Sequence, residues 1–214
     1  RVAFVAVRGH HVDVGGTTPG SMPPASTHIE EEGLRFRNIP IAGPGGFTPP
    51  PLERTRSPDE LRADLLAQVA AVHRGDDGLQ GLFRSMGVDA FRAQMRHALD
   101  AAERATTRLL TGMPGTHMAT EVLDDGTPIA VTMTVAGGRA RIAIDAPSHP
   151  GNLNAPRAVA RAGVLYVLRC LINEPLPLLN EGSLRCVQIE ATSGGMFDPH
   201  HPTAVAGGNV ECSQ

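Results

Sequence analysis

The sequence predicts an α+β fold in which a helical insert is combined with elements of a mixed sheet. Three observations support this: apolar side chains recur at helical spacing over residues 57–110, they alternate with period two over residues 129–144, and Gly- and Pro-rich segments separate the patterns. We divide the 214 residues into a strand and Gly/Pro-rich site loop (1–50), a helical insert (51–115) and an α+β lobe (116–214). Together they are expected to form one domain truncated at both ends, as a fragment of a larger subunit.

The first segment opens on an apolar run from Val2 to Val7, which predicts a buried strand. This run leads into Gly9-His10-His11-Val12-Asp13-Val14-Gly15-Gly16, and a loop rich in Gly, Pro and Ser continues to about Pro24. Polar residues where a strand meets a glycine loop often form a site, because loops carry function on a rigid scaffold. The chain begins on an apolar run without Met and ends without a polar tail, so both boundaries are expected to be cuts.

The second segment begins with a strong helix signal. Ser57 is predicted as the N-cap, Pro58 takes the first helical position, and Glu60 completes a capping box. We predict three helices, the first with one apolar face, the second ending at Gly87 and the third running from about Val88 to Leu110. The apolar face of the first helix is formed by Leu61, Leu65, Val69 and Val72.

The third segment switches to period two. Residues 129–135 and 140–145 predict a hairpin joined at Gly137-Gly138, and Asp125-Gly126 predicts a preceding turn. Pro156 is expected to begin a helix that extends to about Ile172. Leu184 to Ile189 predicts a further strand.

Composition excludes several classes of function. A net charge of -3 and a pI near 6.3 provide no basic face for nucleic acid or an anionic membrane surface. All 19 basic residues are Arg, so the chain has no Lys for a Schiff base or a phosphate-binding loop. Three distant cysteines, Cys170, Cys186 and Cys212, argue against a disulfide framework or a zinc knuckle, and they fit a cytoplasmic protein.

Four stretches point to one family: Arg8–Gly16 with Thr18–Pro24, Glu31–Leu34, Gly151–Val159 running into Leu165–Leu171, and Ala206–Val210 with Ser213-Gln214. In this order and at about this spacing, they resemble the hydantoinase B/oxoprolinase family. The resemblance covers essentially the whole chain and is least specific in the helical insert.

The resemblance implies part of an ATP-dependent cyclic amide hydrolase that opens oxoproline or hydantoin-type rings. An A-type partner subunit or domain would handle ATP and magnesium, a small-molecule lactam would be the substrate, and no catalytic residue is predicted in this chain. Two alternatives stay open. One is a subunit of an ATP-dependent ketone carboxylase, and the other is a non-catalytic truncated assembly partner of an A-type subunit.

The resemblance also implies a divalent metal, and mixed imidazole and carboxylate ligands favour zinc or manganese. This chain would supply His10, whereas the other ligands would come from an upstream segment. From the residues alone, His10 is alternatively a strand-end histidine bonded to a backbone carbonyl. His11 and Asp13 are weaker candidates for the metal. On a strand His11 would face away from His10 and orient a ligand or pack, while Asp13 would orient an imidazole or cap the glycine turn.

Three residues near the start of the predicted third-segment helix are candidates for substrate binding. The amides of Asn152 and Asn154 would either cap this helix or bind a substrate carbonyl or phosphate. Arg157 would be unfavourable in a first helical turn, so its charge is expected to bind a carboxylate or phosphate.

Two further clusters receive a structural interpretation. His200-His201 is a tempting metal pair, but a turn between prolines explains it better. Glu30, Glu31 and Glu32 are interpreted as a solvated run or a first helical turn.

Overall fold

A computed structural model describes residues 2–173 and 180–211, and these form an α+β fold as predicted. The chain separates into two compact units, residues 1–93 and 94–214, which are described individually. The division into 1–50, 51–115 and 116–214 stays a prediction. Cys212, Ser213 and Gln214 lie outside the described residues.

The first unit contains short 3-10 helices at Pro19–Ser21 and Ile29–Glu32, followed by a two-stranded antiparallel hairpin. The hairpin pairs β1 (Ala42–Gly43) with β2 (Gly46–Phe47). Helix α1 (Pro58–Met86) comes next, and α2 (Val88–Thr111) begins in this unit and continues into the second by residue number.

The predicted buried strand at residues 2–7 is wrong. These residues pair with no strand among the described residues, and the side chain of Phe4 is 78% exposed. The segment lies along α1, where the Cγ1 of Val5 comes within 2.6 Å of the position that a Cβ on Gly75 would take. Its apolar pattern therefore reflects contact with a helix on one side only, which periodicity cannot distinguish from a strand.

The helical insert contains two helices where three were predicted. The first two predicted helices are one, because α1 runs for 29 residues through Gly75, Gly78 and Gly81. Ser57 is the N-cap and Pro58 follows it as predicted, but the Ser57 side chain makes no capping hydrogen bond, so the predicted capping box is not formed. The helix instead begins with the bond from the Leu61 N–H to the Ser57 carbonyl, at 3.1 Å.

The second unit is built on a four-stranded mixed sheet in the order β3-β4-β5-β6. Strands β3 (Gly115–Val122), β4 (Pro128–Ala136) and β5 (Arg139–Asp145) are antiparallel, and β6 (Val187–Ala191) is parallel to β5. The parallel pair needs a crossover, and this contains α3 (Arg157–Leu171). A last helix, α4, spans Ala206–Glu211.

The predicted hairpin and α3 are confirmed, whereas β6 begins at Val187 rather than Leu184. The residues before it form a 3-10 helix, Glu181–Leu184, which the Asn180 side chain caps by accepting from the Gly182 N–H at 2.9 Å. Strand β3 was not predicted beyond the Asp125-Gly126 turn that follows it. All eight of its residues are exposed, so its sequence has no buried face to produce alternation.

The core of the second unit lies between the sheet and α3. Period-two side chains of β5 bring Ile142 and Ile144 to the face on which Ala160 of α3 packs. Met196 and Phe197 belong to the same cluster. No helix in residues 2–173 and 180–211 has the length and apolar character required to cross a membrane.

Candidate functional site

The loop that follows the histidine pair closes around the buried carboxylate of Asp13, and we call residues 13–21 the Asp13 loop. One oxygen, Oδ1, accepts from the Gly15 N–H at 2.8 Å, the Thr55 hydroxyl at 3.2 Å and the Arg56 N–H at 3.3 Å. The other, Oδ2, accepts from Arg56 Nη1 at 2.8 Å and from the Gly20 N–H at 3.2 Å. Asp13 therefore joins two segments that lie more than forty residues apart.

The environment of Asp13 favours its ionised form. Burial would raise its pKa, but backbone hydrogen bonds from Gly15 and Arg56, the Arg56 guanidinium and the Thr55 hydroxyl lower the pKa to about 2. Of the two roles predicted for Asp13, the structure forms the glycine-turn cap. Its role as a metal ligand stays a prediction, although five donors already occupy its two oxygens.

Glycine allows the Asp13 loop to turn tightly against its neighbours. Gly15 has φ +83°, and a Cβ there would lie 2.7 Å from the carbonyl oxygen of Arg54. The hydroxyl of Ser21 accepts from the N–H groups of Val14 at 2.8 Å and Gly16 at 3.0 Å. The loop is consequently held by buried hydrogen bonds on both sides of the turn.

The two histidines before this loop differ in their surroundings. His10 is exposed, whereas the Nδ1 of His11 lies 3.0 Å from Oδ2 of Asp64 on α1. The expected alternation of the pair across a strand does not apply, since no strand forms there.

The divalent metal that the resemblance implies would need several donor side chains close together. Among residues 2–173 and 180–211, no group of three or more His, Cys, Asp or Glu side chains could hold a metal ion. The described residues thus do not form a metal centre by themselves. His10 as a ligand stays a prediction, as does His11.

In the second unit, the side chain of Asn154 is fully buried and binds its own loop, residues 148–154, which we call the Asn154 loop. Its Oδ1 accepts from the His149 N–H at 2.8 Å and lies 3.4 Å from the Ser148 hydroxyl. Its Nδ2 donates to the carbonyls of His149 and Gly151, both at 2.9 Å, and of Ala204 at 3.4 Å. The amide is therefore satisfied within the protein.

The predicted capping of α3 by either asparagine is not formed. The N-cap of α3 is Pro156, without a side-chain capping bond. Asn152 is buried, and its side-chain oxygen would lie 2.7 Å from a Cβ on Gly207. Arg157 is exposed, with its Nη1 at 3.8 Å from Oδ2 of Asp198, a carboxylate of the same unit. Substrate binding by Asn152, Asn154 and Arg157 stays a prediction.

The two remaining clusters have structural roles. The turn at His200-His201 is confirmed, since the Thr203 N–H donates to the His200 carbonyl at 3.0 Å. The glutamate run forms a 3-10 helix, but Glu32 is buried and accepts from the Ser26 hydroxyl at 3.1 Å, so the interpretation as a solvated run is wrong for this residue.

An apolar cleft of about 430 Å³ lies between the sheet and α3 of the second unit. Ile129, Val131, Val164 and Leu168 contribute to its lining, in which His117 is the residue with a polar side chain. The lining therefore offers a ligand mainly apolar contacts.

Sequence reasoning missed the partners that hold the site together. Arg56 and Thr55 bind Asp13 from 43 and 42 positions away, and Asp64 binds His11 from 53 positions away. Thr55 and Arg56 lie in a polar segment just before a strong helix start, whereas Asp64 lies within α1. Contacts of this range cannot be deduced from spacing in one sequence.

Comparison with known proteins gives a consistent result. The family described as "Hydantoinase B/oxoprolinase" matches residues 1–214. The chain is 34% identical over 248 residues to 5-oxoprolinase 1 of Arabidopsis thaliana, covering 100% of this chain and 20% of that protein. It is 28% identical over 214 residues to caprolactamase subunit beta of Pseudomonas jessenii, covering 94% of this chain and 37% of that subunit.

A solved structure shares the fold. The crystal structure of ATP-dependent caprolactamase from Pseudomonas jessenii matches with a TM-score of 0.82 and 26% identity, over 94% of this chain and 37% of that chain. The chain thus spans about a fifth of the plant oxoprolinase and over a third of the caprolactamase subunit. With its full length matched, this chain belongs to the hydantoinase B/oxoprolinase family.

Proposed function

We propose that this chain is part of a cytoplasmic, ATP-dependent cyclic amide hydrolase that opens 5-oxoproline. The observation that carries the proposal is the match of the whole chain to the hydantoinase B/oxoprolinase family, supported by the fold that it shares with an ATP-dependent caprolactamase. The five-membered lactam is favoured because identity to the plant 5-oxoprolinase is 34%, against 28% for the caprolactamase subunit.

The chemistry requires an activating co-substrate. An unstrained lactam resists water, because resonance lowers the electrophilicity of its carbonyl carbon. Transfer of the terminal phosphoryl group of ATP to the amide oxygen releases ADP and makes that oxygen a leaving group. Water then adds to the carbon, and the C–N bond breaks as the ring nitrogen takes up a proton, which leaves an acyl phosphate on the opened chain. A second water hydrolyses this acyl phosphate and releases phosphate and the open amino acid.

ATP binding is assigned to an A-type partner subunit or domain. The family resemblance implies that this partner binds ATP and magnesium, and a chain that has no Lys, and hence no phosphate-loop lysine, is compatible with that division. A beta subunit of caprolactamase is among the relatives, which supports a two-component assembly.

The contribution of this chain is a rigid polar loop beside a histidine pair. The Asp13–Arg56 ion pair, 2.8 Å between Oδ2 and Nη1, holds the Asp13 loop directly after His10 and His11. Those imidazoles could bind the activated oxygen or, with ligands from outside the described residues, a divalent metal such as zinc or manganese. A metal would polarise an oxygen or lower the pKa of a bound water.

The test is ADP release by the full-length subunit assembled with its A-type partner. The substrates are 5-oxoproline, caprolactam, N-methylhydantoin and acetone, each with and without bicarbonate. We expect ADP release with 5-oxoproline, matched one to one by glutamate and independent of bicarbonate. ADP release only with acetone and bicarbonate would identify a ketone carboxylase instead. No ADP release with any substrate, from a folded complex, would favour a non-catalytic assembly partner.

A matched set of histidine variants locates the chemistry in this loop. We expect His10→Ala and His11→Ala to reduce turnover, while His97→Ala, on the exposed surface of α2, retains it within about twofold. Equal activity in all three variants would show that turnover requires neither His10 nor His11.

A further inference from the structure

Residues 5–11 run antiparallel to α1 and contact it at three successive points. A Cβ on Gly75 would lie 2.6 Å from Cγ1 of Val5, and a Cβ on Gly9 would lie 2.8 Å from Nε2 of Gln68. Farther along, Nδ1 of His11 lies 3.0 Å from Oδ2 of Asp64. The imidazole of His11 is therefore fixed against the helix at the end of a contacting segment.

The hydrogen bond with Asp64 decides which ring nitrogen of His11 carries the proton. A carboxylate only accepts hydrogen bonds, so Nδ1 must be the donor. In the neutral ring Nε2 then has an available lone pair, since the two nitrogens share one proton. Neutral histidine in water favours the opposite tautomer, with the proton on Nε2.

The lone pair on Nε2 is not used inside the described structure. His11 has no further hydrogen bond to any atom of residues 2–173 and 180–211, and its side chain is 19% exposed. The imidazole is thus mostly shielded, with about a fifth of its side-chain surface open to solvent. His10 is exposed, and within the same residues no carboxylate orients it.

We infer that Asp64 is a positioning residue that holds His11 with Nδ1 protonated. Nε2 of His11, and no nitrogen of His10, then has a lone pair whose position is set by a neighbouring carboxylate. Carboxylates that orient a histidine in this way fix the tautomer and raise the basicity of the other nitrogen. The role in turnover rests on the proposed lactam hydrolysis, whereas the tautomer does not depend on it.

The tautomer can be measured directly in the full-length subunit. Magic-angle-spinning NMR of sedimented protein with ring-¹⁵N histidine, at a pH where the ring is neutral, distinguishes a protonated from an unprotonated nitrogen. His11 is assigned by the signals lost in His11→Gln. We expect a protonated Nδ1 and an unprotonated Nε2 for His11, and the opposite finding in the unaltered protein would overturn the inference without any further variant.

Two isosteric substitutions on α1 test the cause. Asp64→Asn and Asp77→Asn each remove one negative charge from the same helix, and Asp77 is exposed. We expect the Nε2-protonated form of His11 to appear in Asp64→Asn and to be absent in Asp77→Asn. Identical spectra of the two variants would show that the negative charge of Asp64 does not set the tautomer of His11.

Turnover gives the functional readout. In the assembled complex, Asp64→Asn is expected to lower kcat for the lactam by about 10- to 100-fold with KM within about twofold, as for other carboxylates that orient functional histidines. Asp77→Asn should keep both constants within about twofold. If the unaltered complex opens no lactam, the proposed function fails while the NMR result still decides the role of Asp64; if Asp64→Asn is fully active in a working complex, the positioning role is overturned.

Discussion

The Asp13 loop and the Asn154 loop are both closed by one buried side chain, yet one uses a charged group and the other a neutral one. The groups around Asp13 are all donors: N–H groups, a hydroxyl and a guanidinium. Around Asn154 they are mixed, with one backbone N–H and three carbonyls. A set of donors alone is matched by an anion, whereas a mixed set needs an amide, which both donates and accepts.

The largest expected effect comes from placing a charged side chain at the centre of the Asn154 loop. Asn154→Asp removes the Nδ2 donor and places a carboxylate against three carbonyl oxygens, in a site that is fully buried. We expect a loss of about 3 to 5 kcal/mol in the free energy of unfolding, measured by urea denaturation of the full-length subunit.

The control for this substitution is Asn38→Asp, since Asn38 is exposed and its φ of +49° is tolerated by Asp. It should change the free energy of unfolding by less than about 0.5 kcal/mol. If both variants were equally stable, the buried amide would not be what closes the Asn154 loop.

The converse exchange should have the next largest effect. Asp13→Asn places an NH₂ group among donors and leaves Arg56 without its carboxylate partner. We expect a loss of about 2 to 3 kcal/mol near neutral pH, by the same denaturation measurement. Asp77→Asn, an exposed carboxylate on α1, is the matched control and should change stability by less than about 0.5 kcal/mol. A cost no greater than that of the control would contradict the structural role of Asp13.

The two loops should also differ in their response to acid. The folded pKa of Asp13, about 2, lies below its ordinary value of 3.8, so its stabilisation is present above about pH 4 and is lost as the pH falls toward 2. The stability difference between the unaltered protein and Asp13→Asn should therefore shrink over this range, as followed by urea denaturation at successive pH values. The cost of Asn154→Ala should stay constant, because an amide does not titrate. A difference for Asp13→Asn that is equally large at pH 2 and pH 5 would reject the lowered pKa.

The sequence predicted the parts of the fold that local pattern controls. The β4–β5 hairpin has an alternating buried face and a Gly137-Gly138 turn, and α3 follows a proline with helical spacing behind it. The unpredicted strand β3 is exposed on both faces, so its sequence lacks the alternation of apolar and polar residues that a buried face produces. Within residues 2–7, Val5 contacts α1 while Phe4 is exposed, and such one-sided contact with a helix produces an apolar pattern like that of a buried strand.

The candidate site could be predicted only in part for a similar reason. The polar residues after the opening run were identified by their place before a glycine loop, but their partners come from the segment around Arg56 and from α1. Charge and hydrogen-bonding type could have suggested that Asp13 needs a cation. Which of the 19 arginines supplies this cation depends on the tertiary structure.

The smallest expected effect concerns how the segment before the Asp13 loop is held. Gly75 and Gly78 both lie inside α1, but a Cβ on Gly75 would meet Val5 at 2.6 Å, while nothing lies within 4 Å of one on Gly78. Gly78→Ala should gain up to about 1 kcal/mol of stability from helix propensity. Gly75→Ala should lose that gain because Val5 must move, which leaves it about 1 kcal/mol less stable than Gly78→Ala. Thermal denaturation of the two variants side by side measures the difference, and equal stabilisation would mean that residues 5–11 do not lie on α1. The Asp13 loop would then be held by the hydrogen bonds of Asp13 and Ser21, without support from the segment that precedes it.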